Sequence, residues 1–356
     1  MTFEKYAFCS GLAWATDAKE LVFSTSNGFE SNGRILRVPL AGGTPAPLAG
    51  IGSDVAWPSV RADRLVHVQL VPAPWGIWRI PGRRSSVGDR RPEKLIASRW
   101  NDSVPAYSPD GHRIAFNSDR SGTMNIWVSD EDGTDPAQLT TFHSLIGDMG
   151  APWSPDGRRI VFTSKESGSW DVYVVDSEGG APRRLSYEPT DDGPGTFSRD
   201  GRSIYFASDR TGRSRIWKMP AGGGPAVQVT RGGDFYFQES WDARHVYYSN
   251  AGEGEIWRVP VEGGEETPVL HGLDVLVGWT LSRAGIYYAT SRSPSVASSE
   301  YAIHFLGFQS GRTEMLFRRE GPFGHFSLAV SPDEKWILYT ENPMMQSELM
   351  LVENFR

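Results

Sequence analysis

The 356-residue chain predicts an all-β fold in which one four-stranded antiparallel sheet is written eight times. Three observations carry this reading. Thirty-nine glycines and 24 prolines punctuate the sequence, which favours short strands joined by tight turns over long helices. Segments such as VPAYSPDGHRIAFNSDRSGTMNIWVSDEDGTDPAQLT and GTFSRDGRSIYFASDRTGRSRIWKMPAGGGPAVQVT align with one another, and weaker copies flank them. Within each copy, apolar residues come in strand-length runs bounded by turn residues.

The copies are anchored on the residue ahead of each SPDG-like turn: Trp14, Trp57, Tyr107, Trp153, Phe197, Glu239, Trp279 and Val330. Successive anchors lie 40–51 residues apart, a period in the size class of propeller blades. A short inner strand ends at the anchor. In SPDG, proline presets φ, aspartate bonds nearby backbone and glycine takes positive φ. A second strand follows, as in Ile114-Ala115-Phe116, and a polar loop leads to a third, as in Ile126-Trp127-Val128. A glycine hairpin such as AGGGP returns the chain as a fourth strand. Sheets of this kind cannot bury both faces alone, so neighbours must stack, and radial stacking gives a closed propeller.

The expected architecture is therefore a single eight-bladed propeller over 1–356, with seven blades as the alternative. Blades start near 9, 52, 102, 148, 192, 234, 274 and 325. The chain stops after the third strand of the last copy, Glu348–Val352, so residues 2–8 are the expected outer strand that completes the last blade.

The pattern SPDG-x-x-Ile-x-Phe-x-Ser-Asp-Arg-x-Gly-x-x-x-Ile-Trp resembles the TolB-type (WD-like) propeller repeat, and residues 101–270 carry it best. The flanking copies keep the spacing and lose motif residues, and the sixth turn reads SWDA, with Trp241 and Ala243. The runs EIWRVPVEGGEETPVL and SELMLVENFR look most like propellers found behind bacterial winged-helix or kinase regulator domains. The resemblance implies a sensor or scaffold that binds a protein segment or small ligand. It also admits the gating propellers of prolyl oligopeptidase-like peptidases.

Charge and composition narrow the partners. With 36 Lys+Arg against 43 Asp+Glu the formal charge is −7, which gives no general reason to bind nucleic acid or anionic lipid. The single cysteine, Cys9, rules out an intrachain disulfide and any multi-cysteine zinc site. No run is apolar enough to cross a membrane as a helix and no signal peptide is read, so a soluble monomer is expected, in the periplasm or the cytoplasm. G-x-S-x-G, P-loop, dinucleotide and H-E-x-x-H motifs are missing, and the chain is expected to work without catalysis or a cofactor.

Five residues before the anchors of the third to seventh copies stand Asp102, Asp148, Asp192, Asp234 and Asp274, with His325 in the eighth. Equivalent positions in a ring lie on one circle, so these groups are expected around one channel mouth. They read either as a negative funnel for a cation or basic segment, or as turn caps internal to each repeat. His143, His271 and His325 sit in the same loops, and with the aspartates they offer donors suited to a divalent cation. A metal-dependent lyase or lactonase at the mouth is the alternative to the binding module. Asp119-Arg120 and Asp209-Arg210 read as salt bridges within the repeat, and the longer loops Ser24–Gly33 and Thr290–Tyr301 as binding loops on the face of the aspartates.

Overall fold

In the computed structural model the described residues are 8–26, 33–71, 74–147, 150–232, 236–250, 254–291, 300–320, 328–341 and 346–355. They form thirty strands, and among them no helix is long and apolar enough to cross a membrane. The strands make eight sheets, in two compact units. Unit 1 is Met1–Ala73 with Met344–Arg356, and unit 2 is Pro74–Pro343.

Unit 2 holds six of the sheets. Asp102–Tyr107, Arg113–Ser118, Asn125–Asp130 and Ala137–Gln138 pair in that order, each antiparallel to the next. The copies beginning at Asp192, Tyr236 and Val275 repeat this order. The fourth copy has three strands, and bridges at Ile146↔Ser164 and Trp153↔Ile160 mark its inner edge. The apolar residues of the second strand divide between two neighbours: Ala115 and Phe162 meet in one inter-sheet cluster, Val161 and Phe206 in the next. Burying a phenylalanine such as Phe116 or Phe206 contributes roughly 1.5–3 kcal/mol. Six such clusters link the six sheets in a cycle, the last joining Tyr287 and Ile303 to Ile80 and Ile337.

The SPDG turns keep one geometry. Ser108 Oγ donates to Asp110 Oδ1 (2.5 Å), the amide of His112 donates to the same oxygen (3.1 Å), and Gly111 takes φ 82°. Ser154, Ser198, Ser240 and Ser331 repeat this bond with Asp156, Asp200, Asp242 and Asp333. Consecutive turns touch. A Cβ added at Gly111 would lie 3.2 Å from Pro332 Cδ, one at Gly157 3.7 Å from Pro109 Cδ, and one at Gly201 3.5 Å from Pro155 Cδ.

The eight sheets divide six and two between the units. One feature departs from the sequence expectation: the last copy is completed differently. Ala329–Val330 and Trp336–Glu341 pair with Gly76–Pro81 and then Glu93–Ile96, the outer strands of the second copy. Gln346–Glu353 pairs instead with Arg64–Val71 in unit 1. Copies two and eight have thus exchanged outer strands. The connectors set these two copies apart: four residues follow Arg64–Val71 and Trp336–Glu341, whereas six follow Arg113–Ser118, Arg159–Ser164, Ser203–Ser208 and His245–Ser249. Of the expected closing strand, residues 2–7 lie outside the described residues, and Phe8 begins the strand that pairs with Glu20–Ser26.

Unit 1 contains the sheet from Phe8 to Pro47 and the sheet Val55–Arg61, Arg64–Val71, Gln346–Glu353. Val22, Ile35, Leu48, Val55, Leu65 and Phe355 form its core.

Candidate functional site

Asp102 and Asp192 open the inner strands of their sheets, and both carboxylates are wholly buried. Arg120 Nη2 donates to Asp102 Oδ1 (2.6 Å), and Arg210 Nη2 to both oxygens of Asp192 (3.1 and 3.2 Å). Each guanidinium also lies over a tryptophan, Arg120 5.1 Å from the ring centre of Trp127 and Arg210 4.9 Å from that of Trp217. These two aspartates therefore face protein cations, and the expected negative funnel is not built from them. The expected Asp119-Arg120 bridge is replaced, because Arg120 reaches back to Asp102 while Asp119 accepts from the amide (2.8 Å) and Nδ2 (2.8 Å) of Asn101. Arg210 likewise turns to Asp192 in place of Asp209. In the fourth copy the same task falls to Asp171, bound by Arg184 Nη2 at 2.9 Å.

Asp274, His143 and His271 are exposed. Asp148, Asp234 and His325 lie outside the described residues, as do 27–32 and 292–299 of the expected binding loops. Among the described residues no group of three or more His, Cys, Asp or Glu is arranged to hold a metal ion.

Buried carboxylates elsewhere stitch sheets together. Tyr205 Oη donates to Glu239 (2.8 Å), Tyr287 Oη to Glu334 (2.8 Å) and Tyr301 Oη to Glu341 (2.9 Å), each bond spanning two sheets. Burial raises the Glu341 carboxyl above its ordinary value, and Tyr301 and Arg319 oppose that shift. A groove of about 360 Å³ between the sheets of Asp171 and Asp192 is lined by Arg184, Tyr187, Phe206, Arg210 and Met219. Its Arg184 and Arg210 are already spent on those two aspartates.

Sequence reasoning missed the opposite face, where the SPDG-type turns lie. Their second residues are Pro109, Pro155, Arg199, Trp241, Arg283 and Pro332. Arg199 Cζ lies 4.0 Å and Arg283 Cζ 4.8 Å from the ring centre of Trp241. The indole Nε1 donates to the carbonyl of Leu281 (3.3 Å), and the side chain stays 40% exposed. Arg199 Nε donates to the carbonyl of Glu239 (3.1 Å), and its own amide donates to the Glu239 carboxylate. Burial lowers the Arg199 guanidinium to about 10; Glu239 opposes the shift and the like charge of Arg283 adds to it. The available signal was the loss of proline at the same turn position in three consecutive copies.

A family model described as TolB beta propeller domain matches residues 137–266. The chain is similar in structure to TolB from Acinetobacter baumannii, at 16% identity and TM-score 0.50, covering 93% of this chain and 82% of that one. It is also similar to a chain of a nidogen/laminin complex, at 12% identity and TM-score 0.56, covering 78% and 98%. A puromycin-hydrolyzing peptidase of Mycobacterium tuberculosis matches at 14% identity and TM-score 0.50, with 87% of this chain on 52% of that one. No curated protein matches the chain in sequence. Residues 137–266 thus match the TolB beta propeller domain family, and the likeness to solved structures shows a β-propeller fold over most of the chain.

Proposed function

We propose that the chain is a non-enzymatic binding module whose protein partner docks on the inner strands of unit 1. The observation that carries this reading is Trp57. It sits at the bulge of Val55–Arg61 with a left-handed φ of 48°, and its side chain is 56% exposed. Strained backbone at a non-glycine residue costs on the order of 1–3 kcal/mol. An indole that is 56% exposed recovers little of that by burial in its own chain. The matching bulge in unit 2 carries Val104, with φ 52° and 7% exposure, so there the strained residue is enclosed.

Leu12 and Trp14, on the strand beside Trp57, are 69% and 58% exposed. That strand lies close: a Cβ at Gly11 would come within 2.7 Å of Trp57 Cα. Exposed tryptophans grouped with aliphatic side chains mark protein-binding surfaces. Trp57 is fixed in place by its amide, which donates to Ser24 Oγ at 3.2 Å.

Photo-crosslinking in the native cell tests the reading. A benzophenone amino acid replaces Leu12 or Trp14, and a control replaces Asp132 on an exposed hairpin. A discrete protein adduct from positions 12 and 14, weakened by Trp57→Ala and missing from position 132, is the expected result. Equal labelling at all three positions, or none, contradicts it.

A further inference from the structure

We propose that Arg199, Trp241 and Arg283 form a clamp for a carboxylate-bearing peptide segment, in which an Asp or Glu side chain lies beside an apolar residue, on the turn face of unit 2. The site is separate from the Trp57 surface and stands whether or not that surface binds a partner.

At its second position an SPDG-type turn asks only for φ near −65°, which proline supplies. Pro109, Pro155 and Pro332 do so, and each lies against the glycine of a neighbouring turn. In the three consecutive copies that follow Pro155, the position carries Arg199, Trp241 and Arg283. Neither side chain type improves the turn. Because adjacent copies meet face to face, the three side chains converge, and both guanidinium groups lie over one indole.

The buried Glu239 supplies a counter-charge to Arg199, and its oxygens accept from Tyr205 Oη and from the Arg199 amide. The Arg199 guanidinium spends only Nε, on a carbonyl. Among the described residues its two Nη atoms and the exposed Arg283 guanidinium form no hydrogen bond or ion pair. Two cations held beside each other, with guanidinium donors left over, match a carboxylate, which a guanidinium can take in a bidentate fork. The exposed indole adds contact area for an apolar neighbour, and Trp and Arg dominate protein-binding hot spots.

The surroundings select a peptide over a nucleic acid. Asp200 and Asp242 stand next to Arg199 and Trp241 in the same turns, both exposed. The hydroxyls of Ser198 and Ser240 hold their carboxyls below the ordinary value, so both stay ionised. They would repel a run of phosphates and leave room for isolated carboxylates.

Fluorescence anisotropy on the full chain tests the clamp. The probe is a labelled eight-residue peptide carrying a single Glu-Leu pair among glycines and serines, compared with its glutamine counterpart and with a short oligothymidylate. The proposal expects the glutamate peptide to bind, the glutamine peptide to bind about tenfold more weakly, and added salt to weaken the first selectively. Arg283→Gln should lose about tenfold. Its exposed position leaves folding intact, which a thermal melt verifies. Trp241→Leu should lose a similar factor, whereas Trp57→Ala should leave the affinity unchanged. No binding of the glutamate peptide, equal affinity in the wild type and Arg283→Gln, or tighter binding of the oligothymidylate would each overturn the proposal.

Discussion

Arg120 closes on Asp102 across eighteen positions of sequence, its Nη2 2.6 Å from a carboxylate that has no solvent exposure. Asp192 and Arg210 repeat the bond two copies later, at the same sequence offset. The loop that leads into an inner strand and the loop that leaves the second strand are thereby tied together, and the Trp beneath the guanidinium fixes the third strand. In these two copies the aspartate and the arginine hold the repeat together.

Asp102→Ala should therefore destabilise unit 2 by about 3–5 kcal/mol, because it leaves the mostly buried Arg120 without its counter-charge. Asp102→Ala combined with Arg120→Met should recover much of that loss. Urea unfolding of the single and double variants measures both. Asp132→Ala, on an exposed hairpin, should shift the midpoint little.

Trp57→Gly should stabilise unit 1 by about 1 kcal/mol, since glycine accepts the left-handed backbone that tryptophan resists. The same change should abolish the crosslinks expected from Leu12 and Trp14. Stability and binding then move in opposite directions. A variant that lost both would show that Trp57 is a core residue.

Acid should weaken the turns. Asp110, Asp156, Asp200 and Asp242 have carboxyls held below the ordinary value; for Asp110, Asp156, Asp200 and Asp242 the first cause is the hydrogen bond from the serine two residues earlier. A depressed folded-state pKa contributes stability that is present above the unfolded value, about 3.9, and lost as pH falls through the lower folded value. Thermal melts from pH 7 down to 3 should show midpoints dropping at the acid end. Asp110→Asn with Asp156→Asn should lower the midpoint at neutral pH and flatten that drop.

Strand positions and turn chemistry were legible because each is local: Ser108, Asp110 and Gly111 satisfy one another within four residues. The partner of Arg120 was not. Asp119 is adjacent in sequence, but an antiparallel pair of strands returns Asp102 to the same end of the sheet, opposite Ser118. The Arg199–Trp241–Arg283 stack was visible only as motif decay, since contact between residues about 40 positions apart depends on which turns are neighbours in the ring. The strand exchange was hidden for a further reason. Gly76–Pro81 reads as the third strand of its own copy, and only the length of the preceding connector distinguishes it from other third strands.

Disulfide trapping tests that exchange, which sets how unit 2 closes. Arg79 and Leu338 stand directly opposite each other in the antiparallel pair Gly76–Pro81 and Trp336–Glu341. Directly opposed Cα atoms lie about 4.5–5.5 Å apart, within disulfide reach. In a Cys9→Ser background, Arg79→Cys with Leu338→Cys should form an intrachain link under mild oxidation, and Leu338→Cys with Leu349→Cys should not. The reverse outcome, a 338–349 link and no 79–338 link, would mean that the last copy keeps its own third strand, and would contradict the closure described above.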